Sequence, residues 1–118
     1  MTQEDKELLL KDLCARLPYG VKIQVPYEDG SGYFDETVWE VNNDGPFHVN
    51  GWGIEYEYVK PYLFPLSSIT KKTLEELSTY IDIKNAYVAV EFFNSHHIDY
   101  RDLIEKGLAI DATELNIY

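Results

Sequence analysis

The apolar period of the chain changes once near its start, at Pro18–Gly20, and that change constrains the fold more than any other feature. Before it, Leu9, Leu10, Leu13, Cys14 and Leu17 recur at three- and four-residue spacings. That is the stripe of an amphipathic helix over about residues 3 to 16. Thr2 is a candidate N-cap, and Glu4 and Asp5 put negative charge in the first turn, where the helix dipole favours it. Pro18 and Gly20 stop the helix. After them Val21, Ile23, Val25 and Tyr27 alternate with Lys22, Gln24 and Pro26, which is the pattern of a half-buried strand. Pro26 cannot donate a ladder hydrogen bond, so that end lies at an edge or leaves the sheet.

Period two continues. Residues 28–32 are a loop by composition. A strand over about 34–42 puts Thr37, Trp39 and Val41 on one face and Glu36, Val38 and Glu40 on the other. Asn43-Asp44-Gly45 and Asn50-Gly51 signal tight turns around a short strand at 46–49. Trp52, Ile54, Tyr56 and Tyr58 then alternate with Gly53, Glu55, Glu57 and Val59. The expectation is an antiparallel meander with one aromatic, apolar face and one acidic face. Residues 59–66, bracketed by Pro61 and Pro65, read as an extended crossing that closes one end of the sheet. Thr70 can cap a helix with Leu74, Leu77 and Ile81 on its buried side.

Residues 83–96 admit two readings, since Val88–Phe93 also suits a buried strand. The helical spacing of Ala86, Ala89, Val90 and Phe93 favours a helix. Tyr100 to Lys106 reads as a short helical piece stopped by Gly107. The whole is expected to be one α+β domain over 1–118: an N-terminal helix, an antiparallel sheet of four to five strands, and two to three C-terminal helices. The curled form of that sheet would be a small SH3-like barrel.

Charge narrows the partners. The 118 residues carry 21 acids against 10 bases, a formal net charge of −11. Between residues 23 and 59 stand Glu28, Asp29, Asp35, Glu36, Glu40, Asp44, Glu55 and Glu57, with no lysine or arginine. Tyr27, Tyr33, Phe34, Trp39, Phe47, Trp52, Tyr56 and Tyr58 are interleaved with them. A surface of one sign repels phosphate backbones and anionic membranes and attracts basic proteins. Direct nucleic-acid and membrane binding are therefore not expected. Mimicry of DNA is not favoured either: Glu55 and Glu57 would lie about 6.7 Å apart on a strand, where duplex carries a charge every ~1.7 Å. The acidic N-terminus is unlike a signal peptide, and no apolar run approaches the roughly 20 residues that span a bilayer. The expected compartment is the cytoplasm. The lone cysteine, Cys14, excludes an internal disulfide and is expected to be a buried thiol.

The candidate docking residues are Glu36, Glu40, Glu55 and Glu57, with Trp52 and Tyr33 as aromatic anchors. If the strands lie together, the four carboxylates form a ladder of like charge, destabilising by some tenths of a kcal/mol. Such a ladder fits binding of a basic partner, a solubilising face, or protection against edge-to-edge aggregation. His96-His97-Ile98-Asp99 has metal-ligand types, but adjacent residues on a helix project about 100° apart. The alternative is a helix C-terminus, where imidazole meets free carbonyls. Asp99-Tyr100-Arg101-Asp102 suggests an ion pair that orients the C-terminal segment. No nucleophile–base set, metal-ligand spacing or phosphate-cradling loop stands out, so no catalytic, metal or cofactor residue is assigned. A second reading is a small-molecule pocket between sheet and C-terminal helices near Tyr62, Phe64, His96, His97 and Arg101. A third buries Tyr62–Leu66 in an oligomer.

Three stretches carry a family likeness: Leu8–Lys22, Val59–Ser68 and His97–Ala109. On these the chain resembles a group of small proteins encoded by gut anaerobes and their phages or prophages. The resemblance implies a bacterial, intracellular setting and a mobile element. It carries no activity and no functional residue.

Overall fold

Helix α1 (Gln3–Arg16) opens the fold, and the Thr2 side chain caps it by accepting from the Asp5 N–H at 3.0 Å. The computed structural model describes residues 2–27, 29–42, 45–48, 59–68, 75 and 86–118, with backbone only at 39–42, 45–48 and 86–88. The buried face of α1 is Leu9, Asp12, Leu13 and Arg16. These stand at i, i+3, i+4 and i+7, the spacing of one helix face. Leu10 and Leu17 are only partly buried against this core, and Cys14 is exposed, against expectation. The face turns because Asp12 and Arg16 neutralise each other and so can enter the interior together.

A 3-10 turn at Leu17–Tyr19 and Gly20, left-handed at φ 69°, lead into β1 (Lys22–Pro26). Strand β2 (Tyr33–Asn42) pairs antiparallel with β1, setting Ile23 across from Glu36, Gln24 from Asp35 and Pro26 from Tyr33. Strand β3 (Gly45–His48) pairs antiparallel with β2, with a register shift between Val38 and Glu40. Pro26 stands at the end of β1, beyond the two residues that pair with β4 (Lys60–Pro65), as its missing N–H requires.

Two expectations about the sheet are corrected. Residues 60–65 are a strand inside the sheet, not a crossing over its end. Strand β4 runs antiparallel to β1 but parallel to β5 (Ile98–Asp99) and β6 (Ile110–Asp111). Pro61 and Pro65 fall at terminal pairs of their ladders, where the lost donors are least disruptive. The sheet is therefore mixed. Its order is β3-β2-β1-β4-β5, with β6 also on β4, and among the described residues it does not close into a barrel. The long connection that a parallel pair needs contains α2 (Ala86–Ser95), so the helical reading of this stretch holds. The expected strand at 52–58 lies outside the described residues. So does the expected helix near 70–81, apart from Glu75, which is helical. Residues 103–107 form turns, not the expected short helix. Gly107, at φ 76°, closes them with its N–H on the Ile104 carbonyl.

The core lies between α1 and one face of this sheet. Leu9 and Leu13 meet Val21, Ile23 and Val25 of β1, Val38 of β2 and Leu63 of β4, with Leu103 and Leu108 from the C-terminal segment. Each such aliphatic side chain contributes about 1.5–3 kcal/mol on burial. Within the Tyr62–Leu66 segment, Tyr62 and Leu63 are buried within the chain and Leu66 is 44% exposed.

Candidate functional site

Three groups of polar side chains are built on this frame. The first is a buried ionic hub. Asp12 and Arg16 are fully buried, one helical turn apart. Arg16 Nε donates to Asp12 Oδ2 at 2.8 Å, and Arg101 Nη1 donates to Asp12 Oδ1 at 2.8 Å. Arg16 Nη2 reaches the Ile98 carbonyl at 2.6 Å. The Tyr100 ring lies against both cations, 4.6 Å from the Arg101 guanidinium carbon and 5.3 Å from that of Arg16. Asp99 is buried beside the hub. Its carboxylate accepts the N–H groups of Arg101, Leu103 and Ile104 at 3.3, 3.0 and 2.9 Å. The sequence suggested that the acidic–Arg101 stretch orients the C-terminal segment. It does so, but Arg101 pairs with Asp12, 89 positions away, and not with its neighbours in sequence.

The second group is a clasp at the C-terminal end of the chain. His96 ends α2 with its N–H on the Phe92 carbonyl and its Nδ1 at 3.0 Å from the same oxygen, as a helix C-terminus favours. His97 follows in the left-handed region at φ 58° and stacks on Tyr118, rings 3.8 Å apart and 9° from parallel. The Tyr118 hydroxyl donates to the Tyr62 carbonyl and accepts the Lys22 N–H, both at 2.8 Å. Burial pushes the Tyr118 phenol up to about 12. Burial, and then the Arg16 charge, hold the His97 imidazole down at about 4. No His/Cys/Asp/Glu group able to hold a metal occurs among the described residues.

This clasp has a pH signature. An unfolded chain protonates His97 near 6.5, whereas the folded chain waits until about 4. The unfolded state therefore binds more protons in that window, and folding stability falls as pH drops through it. The expected loss is about 1–2 kcal/mol after allowance for solvent screening. His97→Asn tolerates the left-handed backbone and should lose this component; urea titrations of both proteins at pH 7 and pH 4.5 measure the difference.

The third group is the end of the β1–β2 hairpin. Tyr33 is 63% exposed and Tyr27 is 48% exposed. Tyr27 packs its ring on Phe34 at 5.0 Å. Asp29 and Asp35 are exposed. Asp29 accepts the Ser31 N–H at 2.9 Å, and bonds from Ser31 hold its carboxyl below the usual range. Asp35 accepts from the Tyr62 hydroxyl, which itself accepts from Gln24 at 3.3 Å. Burial, reinforced by Asp35, pushes the Tyr62 phenol up to about 12.

Of the docking residues expected from sequence, Tyr33 stands on this exposed end. Glu36 is half-buried: it faces Ile23 across the ladder and shares a strand face with buried Val38. That face, expected to be the acidic outer one, is the core side at these two positions. The reason is β1, whose Val21 and Ile23 bring their partners on β2 inward. Glu40 lies on β2 beyond the register shift. Trp52, Glu55 and Glu57 lie outside the described residues. Sequence reasoning missed Asp12 and Arg16 as a buried pair, although their i, i+4 spacing beside Leu9 and Leu13 held the signal.

Side chains proposed for a small-molecule pocket pack on other residues of the chain. Phe64 and His97 lie against Tyr118, Arg101 on Asp12 and Tyr100, and His96 on Phe92. An open groove of about 540 Å³ lies elsewhere, between Pro65–Ser68 and Asp111–Leu115. No described helix is long and apolar enough to cross a membrane. Comparisons with protein-family models, curated proteins and solved structures found no match.

Proposed function

We propose that this chain is a non-enzymatic protein–protein interaction module that binds a basic partner through its acidic, aromatic-bearing sheet, in a bacterial or mobile-element setting. One observation supports it most. Tyr33, a large ring, stands 63% exposed at the hairpin end, in a 37-residue stretch (23–59) that has no lysine or arginine. Exposed tyrosines beside carboxylates suit cation capture, with charge steering the encounter and the ring supplying contact area. Asp29 and Asp35 stand near Tyr33 in sequence, and among the described residues their hydrogen-bond partners are Ser31 and Tyr62, not bases. Glu40, Glu55 and Glu57 belong to the same base-free stretch of sequence.

The test is capture from a bacterial extract at low and high salt. A specific basic protein should be retained at low salt and released at high salt. The combined variant Asp29→Asn, Glu40→Gln, Glu55→Gln, Glu57→Gln should lose it while unfolding at an unchanged temperature. Equal capture by that variant, or no specific capture at low salt, would rule the reading out.

A further inference from the structure

We propose that the outer face of the hairpin end reads arginine: the Tyr33 ring stacks a guanidinium of the basic partner and Asp35 accepts its N–H groups. This rests on the docking reading above and adds the residue type selected. Tyr33 lies across from Pro26, and Asp35 across from Gln24. The two therefore share the sheet face opposite the core, two residues apart on one strand, about 6.7 Å. A planar guanidinium that lies on a ring can still aim its edge donors at a carboxylate over that span. A lysine ammonium is a compact, strongly hydrated point charge and cannot do both.

The surroundings favour the same occupant. Asp35 is oriented by a neutral partner, the buried Tyr62 hydroxyl, so its charge is not cancelled by that contact. Asp29, in the turn just before Tyr33, is fully exposed and kept ionised by Ser31. Among the described residues the bases on this face are Lys22 and Lys60. Lys22 is held by the Ile117 carbonyl at 2.8 Å, and exposed Lys60 stands across from Gln24 on the far side of β1. The partner should therefore approach over the hairpin end, away from β4. Tyr27 lies with Phe34 on the other face and is not part of the platform.

Two peptides of equal length and charge test this, one built on arginine and one on lysine, each in a glycine–serine background. Their affinities for the full chain are compared by fluorescence anisotropy. The arginine peptide should bind about two- to five-fold more tightly. Tyr33→Phe should keep that ratio, and Tyr33→Leu should bring it near one. Tyr33→Thr, a strand-favouring residue without a ring, repeats the test should the leucine variant misfold. Equal affinities in the unaltered chain overturn the arginine site and leave the docking reading standing. A ratio that survives loss of the ring overturns it also. Failure of both peptides to bind overturns both ideas.

Discussion

Replacing Asp12 with alanine should cost about 3–5 kcal/mol of folding stability. The change strands two cations at once. Arg16 is fully buried, and Arg101 keeps only 16% of its side chain exposed. Both guanidinium groups use an Asp12 oxygen. Arg16 retains its bond to Ile98, but its Nη1 has no protein partner among the described residues even with Asp12 present. A charge left buried without its counter-ion costs more than the pair ever contributed. Against a typical total of about 5–15 kcal/mol, such a loss takes the domain to the edge of folding. The converse follows from the same physics. A triple change of Asp12, Arg16 and Arg101 to apolar residues of similar volume should recover most of the loss, because no charge is then stranded. Urea unfolding of the single and triple variants decides it; a triple variant weaker than Asp12→Ala alone would contradict the explanation.

The second large effect is expected at Asp99. Asp99→Ala should cost about 2–4 kcal/mol, because the carboxylate satisfies three backbone N–H groups, of Arg101, Leu103 and Ile104. Leu103 is fully buried in the core, so a loosened turn there also loses apolar packing. Asp99→Asn keeps one acceptor oxygen and should cost about half as much. Hydrogen exchange resolves the mechanism: protection should fall first at Leu103 and Ile104. Uniform loss across the chain would instead mark a global effect.

These two positions also show what the sequence made legible. The helix cap at Thr2, the alternation of β1, the β2 and β3 strands and the helix over Ala86–Ser95 follow from local patterns, and they formed as the patterns require. What failed was set by distant partners. The buried face of α1 was read through its leucines. The structure turns it toward Asp12 and Arg16 because Ile98 and Arg101, more than eighty residues on, supply the matching groups. The face of β2 was read from its own alternation, yet Glu36 sits on the core side because β1 dictates the register. Pro61 and Pro65 argued against a strand, and only the short ladders on either side of β4 make them tolerable. Parallel pairing of β4 with β5 and β6 leaves no local trace at all.

The same division applies to the candidate site. Tyr33 was legible as an aromatic in an acidic run, and it is exposed. Asp35 was not singled out, because only pairing with β1 shows that it shares a face with Tyr33. The hub and the clasp hold the C-terminal segment against α1 and β4, and so fix Tyr62 beneath Asp35.

An amide-resolved NMR titration of the whole chain with the arginine-based peptide tests docking at the hairpin most directly. Shifts should concentrate between Tyr27 and Asp35, shrink as salt rises, and leave the amides around Asp12 and Arg16 in place. Shifts centred on the groove between Ser67 and Leu115, or spread evenly over the chain, would contradict it.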